Sequence, residues 1–149
     1  MIPRYGNPPM RRRYKLRPGA YVILPRAGGF VLTQQDDPGP EVQLPGGGID
    51  PGEHVLPALH REVAEETGWS IARVRKFKTF RQFTYMPEYA IWAEKICHVY
   101  VAHPARQLGA PTEAGHSVLW LDPINAIEAI GSAGGRAALA DYVSRASGM

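Results

Sequence analysis

The segment from Gly46 to Gly68 constrains this chain more than any other. Gly46, Gly47 and Gly48 are consecutive, and three glycines in a row let a backbone take positive φ or approach another group closely. A helix is expected to follow. Leu56, Leu59 and Val63 recur at i, i+3 and i+7 as one apolar stripe,. Pro57 belongs in the first turn, where its missing N–H breaks no bond, and Gly68 supplies the stop. Glu62, Glu65 and Glu66 stand at i, i+3 and i+4, so their side chains share one face,. The centre of that face lies roughly 100° round the helix from the centre of the apolar stripe. Such a helix buries its leucines and presents carboxylates to a cleft, and Glu53 just ahead of it adds one more. Carboxylates this close repel one another. Hard divalent cations are the natural partners of clustered oxygen ligands, and Arg61 can fork onto a carboxylate and fix its direction.

The remainder reads as one domain of mixed strands and helices. A length of 149 residues, with 44% hydrophobic and 21% charged residues, suits a globular fold with its own core,. The single cysteine, Cys97, excludes an intramolecular disulfide and a cysteine-built zinc cluster,; its setting predicts a small buried hydrophobe. No apolar run reaches the length of a membrane span and no apolar segment follows the N-terminal arginines, so a cytoplasmic location without a membrane partner is expected. The formal charge of +3 divides unevenly. Arg4, Arg11, Arg12, Arg13, Lys15 and Arg17 lie in the first 17 residues without an acid, and the eleven positive and fourteen negative groups beyond them leave the body at −3. Residues 1–16 therefore read as a basic lead-in, loose over Met1–Met10, to a domain over 17–149. Strands are expected over Lys15–Leu24 and Phe30–Gln34, paired as a hairpin through a turn at Pro25–Gly29, with a loop at Asp36–Pro40 and a short extended piece at Gln43–Leu44. Further strands are expected over Val74–Tyr85, Ile96–Ala102 and Val118–Leu121, with a loop around Met86–Ala93. Helices are expected over Pro123–Ile130 and Arg136–Ala146, separated by a breaker at Gly131–Gly135. This order suits an α/β or α+β sandwich.

Gly47, five residues, Glu53, seven residues, then Arg61-Glu62-Val63-Ala64-Glu65-Glu66-Thr67-Gly68 is a spacing that resembles the signature box of the Nudix hydrolase family. Only the last box position departs, where Trp69 replaces a bulky aliphatic residue. The resemblance implies an α/β fold, a Nudix-type α/β/α sandwich with a mixed central sheet. It implies binding of Mg²⁺ or Mn²⁺ and hydrolysis of a diphosphate linkage in a nucleoside diphosphate derivative: a nucleoside triphosphate, a dinucleoside polyphosphate or an ADP-sugar. By the same resemblance Glu62 and Glu66 are metal ligands, Glu65 is a further ligand or a base acting on water, the carbonyl of Gly46 is a backbone ligand, and Arg61 and Glu53 orient the glutamates. A general base from outside the box is expected at Glu113, with Glu88 and Glu94 as other candidates and His116 as an assistant. For substrate contact the resemblance points to the end of the second strand, where Gln34 and Gln35 stand in place of an arginine that some relatives carry and Gln35 is the candidate, and to Tyr85, 16 positions past the box; Tyr85 and Trp92 belong to an aromatic group that can stack on a base. The partner implied is a small nucleotide. Two alternatives stay open: a scaffold that senses a nucleotide without cleaving it, and a pyrophosphohydrolase of RNA 5′ ends, for which the arm would contact nucleic acid. A homodimer is compatible with all of these.

Overall fold

Alternation along one strand builds the sandwich. In β2 (Tyr14–Ile23) successive side chains point to opposite faces,. Ala20 and Val22, with Leu24 just beyond, join Val31, Leu59, Val63, Ile71 and Ala102 in one buried cluster. Ile23 joins Leu32, Phe80, Val99, Val101 and Leu139 in another, on the opposite face. The computed structural model describes residues 1–8, 13–36, 39–87 and 89–148. Pro9–Arg12, Asp37, Pro38 and Glu88, all read above from the sequence, lie outside them.

In order, the elements are β1 (Arg4–Tyr5), β2, β3 (Pro25–Arg26), β4 (Gly29–Gln35), β5 (Glu41–Gln43), β6 (Gly46–Gly48), α1 (Val55–Thr67), β7 (Trp69–Met86), β8 (Ile91–Gln107), β9 (His116–Leu121), α2 (Pro123–Ala129) and α3 (Ala133–Ser147). The main sheet has the order β1-β7-β8-β2-β6. It is mixed: β1 runs parallel to β7 and β2 parallel to β8, while β7/β8 and β2/β6 are antiparallel. A second sheet joins β3, β5 and β9 to β4. Helix α1 covers one core cluster and α2 and α3 cover the other, which is the expected α/β/α sandwich. No helix among the described residues is long and apolar enough to cross a membrane.

Several expectations are revised. The hairpin of Lys15–Leu24 with Phe30–Gln34 is confined to its tip, where Pro25–Arg26 pairs with Gly29–Phe30. Beyond that β2 leaves for the main sheet and β4 takes β5 and β9 as neighbours, because both strands are apolar on two faces and are buried between layers. The strands over Val74–Tyr85 and Ile96–Ala102 extend to β7 and β8, 18 and 17 residues long, so Met86 and Ile91–Ala93 of the expected loop at Met86–Ala93 are strand. Solvated positions such as Arg73 and Arg75 and three irregularities in the pairing hide the period-2 pattern there,. Gly134 and Gly135 lie inside α3, capped by the Ser132 hydroxyl, which accepts from Gly135 N at 3.0 Å. A Cβ on Gly134 would overlap the Phe80 ring, so glycine here permits a close helix–sheet approach. Leu56 is 44% exposed; the stripe actually buried is Ala58, Leu59 and Val63. Cys97 is buried, as expected, and burial pushes its thiol up to about 12.

The N-terminal segment is not loose throughout. Arg4–Tyr5 pairs with Arg81–Gln82 of β7, and Tyr5 meets Phe80 edge-on at 5.8 Å. Glu94, fully buried, accepts from Arg4 Nε at 2.9 Å and Arg81 Nη2 at 2.6 Å. This carboxylate, one of the candidate bases, is therefore enclosed by two guanidinium groups that fasten the edge strand. Breaking a buried ion pair strands the remaining charge. Arg81→Ala is expected to lower unfolding stability by about 3 kcal/mol in urea titrations, and Arg4→Ala to lower it less, since Arg4 is half-exposed.

Candidate active site

Site geometry begins with Gly46. Its φ of 142° is open to glycine and strained for other residues,, and a Cβ there would overlap the carbonyl of Ala20 on β2. Pressed against β2 in this way, Gly46 donates its N–H to Glu66 Oε2 at 2.8 Å in a buried hydrogen bond. Glu66 thus lies on the buried arc of α1 with Leu59 and Val63 rather than on a separate acidic face. Burial raises its carboxyl to about 8 against the opposing pull of the Gly46 N–H. The other carboxylate oxygen, Oε1, lies 3.6 Å from His116 Nε2 at the start of β9.

Beside it, Arg61 organises the remaining acids. Its Nε and Nη2 donate to the two oxygens of Glu53 at 3.0 and 3.1 Å, a bidentate fork,. Its Nη1 donates to Glu62 at 3.2 Å and to Glu65 at 3.3 Å. Glu53 is also fixed by the Asp50 N–H at 3.0 Å, which, more than Arg61, holds its carboxyl below the usual range. The Glu62 carboxyl is raised by burial, with Arg61 opposing. The Glu62 carboxylate also touches Gly47, where a Cβ would come within 2.8 Å of it. Glycine at 47 is therefore a space requirement imposed by this side chain.

The loop before β9 closes the group. Thr112 N and Glu113 N both donate to the carbonyl of Glu65, at 2.8 and 3.0 Å. At the helix end Gly68 takes φ 75° and its N–H bonds to Ala64 O, while its carbonyl accepts from Leu108 N at 2.7 Å. This stitching brings one oxygen each of Glu62, Glu65 and Glu113 within 4.8 Å of one another. An all-oxygen set of that spacing, with Glu66 alongside, fits a hard divalent cation. Trp69 is half-buried beneath the Arg26 guanidinium at 5.0 Å and starts β7; the core contact behind the helix falls to Ile71.

Of the residues read from sequence, Gly46, Glu53, Arg61, Glu62, Glu65, Glu66 and Glu113 converge here. His116, offered only as an assistant, lies closer to Glu66 than its loop context indicated. Gln35 pairs across the second sheet with His116 and Glu41 and accepts from Gln43 Nε2 at 3.3 Å. Tyr85 and Trp92 are apart from this group. They pack on each other with ring centroids at 5.2 Å, and alternation along β7 and β8 turns them to the face opposite Thr84 and Lys95,. The cleft beside the carboxylates, about 840 Å³, is lined instead by Tyr21, Met86 and Tyr89, together with Lys15, Arg17 and Lys95, which sequence reasoning did not assign to it. Their signal, basic residues on two strands far apart in the chain, becomes visible only once β2 and β8 are neighbours.

Comparison with known proteins identifies the family and the fold. A family model, the NUDIX domain, matches residues 15–141. A Bacillus subtilis (strain 168) protein named "Putative 8-oxo-dGTP diphosphatase" is 34% identical over 70 residues, 47% of each chain; the match thus spans about half the length of that relative. Among solved structures, a NUDIX hydrolase from Nitrosomonas europaea superposes with a TM-score of 0.71 at 16% identity, over 86% of this chain and 88% of that one. A MutT protein from Bacillus halodurans gives 0.67 at 20% identity, over 83% and 79%. A MutT NUDIX hydrolase from Burkholderia pseudomallei gives 0.62 at 22%, over 83% and 95%. These structural likenesses are likenesses of fold, and with the family model covering most of its length the chain belongs to the NUDIX family.

Proposed function

We propose that this protein is a divalent-metal-dependent hydrolase that cleaves a diphosphate linkage in a nucleoside diphosphate derivative. The observation that carries the reading is the convergence of Glu62, Glu65 and Glu113 beside the buried, backbone-held Glu66. In this reading Glu62, Glu65 and Glu66, with the carbonyl of Gly46, hold Mg²⁺ or Mn²⁺. When bound, the ion screens phosphate charge, acidifies water and steadies the leaving phosphate.

The chain's own groups do the rest. Arg61, forked onto Glu53, keeps Glu62 and Glu65 at fixed angles and offsets their mutual repulsion. Glu113 takes the proton from the attacking water as its oxygen bonds to phosphorus and the bridging P–O bond breaks. Its loop is pinned to the Glu65 carbonyl, so the base stays at a set distance from the ligands. Gln35, linked to Gln43, supports the substrate side of the site. The relative named for 8-oxo-dGTP supports a nucleotide substrate; Tyr85 and Trp92 would reach one only from the far face of the sheet.

Mass identification of products from nucleoside triphosphates, dinucleoside polyphosphates, nucleotide sugars and 5′-triphosphorylated RNA, each with Mg²⁺, tests the reading. Two phosphate-bearing products from a nucleotide are expected; tight nucleotide binding with no product would instead indicate a sensing module. Glu66→Gln is expected to reduce turnover by at least about 100-fold while circular dichroism stays unchanged. Gly47→Ala pushes the Glu62 carboxylate aside and is expected to weaken Mn²⁺ binding by about ten-fold, read by electron paramagnetic resonance. The raised Glu66 pKa sets a pH dependence. Its carboxyl ionises near 4.5 when unfolded but near 8 when folded; the folded state therefore binds the proton more tightly, and the stability this confers is present at low pH and lost as pH rises through about 8. Melting temperatures of the metal-free protein should fall over that window, Glu66→Gln should flatten the fall, and added Mn²⁺ should reverse it.

A further inference from the structure

The cleft lined by Asp50, Glu53 and Glu62 also carries basic side chains. Its far wall carries Lys15 and Arg17 from β2 and Lys95 from β8. Arg17 and Lys95 are register partners across the parallel β2/β8 pair, so their side chains leave the sheet on the same face,. Among the described residues, the cations that make salt bridges (Arg4, Arg61, Lys78, Arg81 and Arg145, with His116) each meet a carboxylate, and these three do not. Arg17 is held all the same. Its guanidinium lies over the Tyr89 ring, 5.0 Å from the centroid, an arrangement that fixes the plane and leaves its N–H edge free for an anion. Lys95 is half-buried, and with Tyr21 it also lines a second, smaller pocket of about 90 Å³ with Glu41, Gln43, Gln82 and Thr84, though it makes no salt bridge with Glu41. Tyr21 and Lys95 thus line both spaces.

A cavity lined by carboxylates and, on β2 and β8, by cations that make no salt bridge among the described residues suits a long polyanion. The carboxylate end takes phosphate only through a metal, and the basic end takes it directly. A nucleoside diphosphate joined to a neutral sugar would place no further charge against Lys15, Arg17 and Lys95. We propose that these three residues bind phosphate beyond the linkage that is cut, so that the preferred substrate carries a chain of three or more phosphates, as in a nucleoside triphosphate or a dinucleoside polyphosphate. This rests on the hydrolase reading above for its metal end, while the basic wall is testable without it.

Calorimetry of the full chain in the absence of divalent metal, with inorganic tripolyphosphate and inorganic pyrophosphate as probes, isolates the wall. Tripolyphosphate is expected to bind more tightly than pyrophosphate. R17Q/K95Q is expected to weaken tripolyphosphate binding by about ten-fold or more, the loss of charge-assisted hydrogen bonds, and R17K/K95R to retain most of the affinity. Unchanged tripolyphosphate affinity in a folded R17Q/K95Q protein would overturn the proposal. Lys15 is exposed, so K15Q, expected to weaken binding by about three-fold, keeps the test decisive if the double variant does not fold, and unchanged affinity there would count equally against it. Kinetics with Mg²⁺ form the second arm, with a nucleoside triphosphate, a dinucleoside tetraphosphate and a nucleoside diphosphate sugar. R17Q/K95Q should raise KM on the first two by about ten-fold with a smaller change in kcat, and their relative kcat/KM in the wild type distinguishes the two phosphate sources. A wild-type preference for the sugar nucleotide over both would overturn the proposal. Absence of turnover on all three would sink the hydrolase reading, and the calorimetry would still decide the wall.

Discussion

The hydrogen bond from the Gly46 N–H to the buried carboxylate of Glu66 ties together everything else in the site. It spans 20 residues of sequence and joins an edge strand made of glycines to the inner face of α1. Because the strand lies against β2, the bond also sets how far the helix stands from the main sheet. A carboxylate in that place is unfavourable by itself, since burial disfavours its charge. The single backbone donor offsets only part of that. The remaining demand is for positive charge, which is the property a cation-binding site needs.

Two kinds of carboxylate cluster occur in this molecule, and their partners separate them. Glu94 is as buried as Glu66 but is enclosed by Arg4 and Arg81, and it fastens the N-terminal strand to the sheet. Glu62, Glu65 and Glu113 share one guanidinium at most and face a common space. Burial alone would rank Glu94 and Glu66 together; the difference lies in whether the compensating charge is built into the chain or left to a ligand. The same test separates the structural arginines from Lys15, Arg17 and Lys95 across the cleft.

Legibility from the sequence followed the range of the interactions. Glu53, Arg61, Glu62, Glu65 and Glu66 lie within one turn–helix segment whose spacing is set by 3.6 residues per turn, so their convergence was readable. Glu113 was reached only through the family resemblance, and its placement depends on two backbone bonds to the Glu65 carbonyl. Leu56 falls outside the buried stripe, and a helical pattern of apolar residues does not reveal that a glutamate, Glu66, occupies part of the buried arc. Tyr85 and Trp92 read as base-stacking candidates because they cluster around one loop, and the face of β7 and β8 that they occupy is set by register, where a shift of one residue reverses the face.

By itself the sequence determined that a glycine bend precedes an acidic helix, that this helix has one face to bury, and that its carboxylates stand close enough to require a compensating charge. These are local consequences of backbone freedom, helical period and like-charge repulsion. Only the tertiary structure decided which carboxylate is buried, which loop supplies Glu113, and that β2 lies beside β8 rather than forming a full hairpin with β4. Those outcomes depend on contacts between residues distant in the chain, whose pairing is selected by burial of whole faces. The basic wall opposite the carboxylates follows from the same selection, since Arg17 and Lys95 become neighbours only when two strands far apart in the chain align in register.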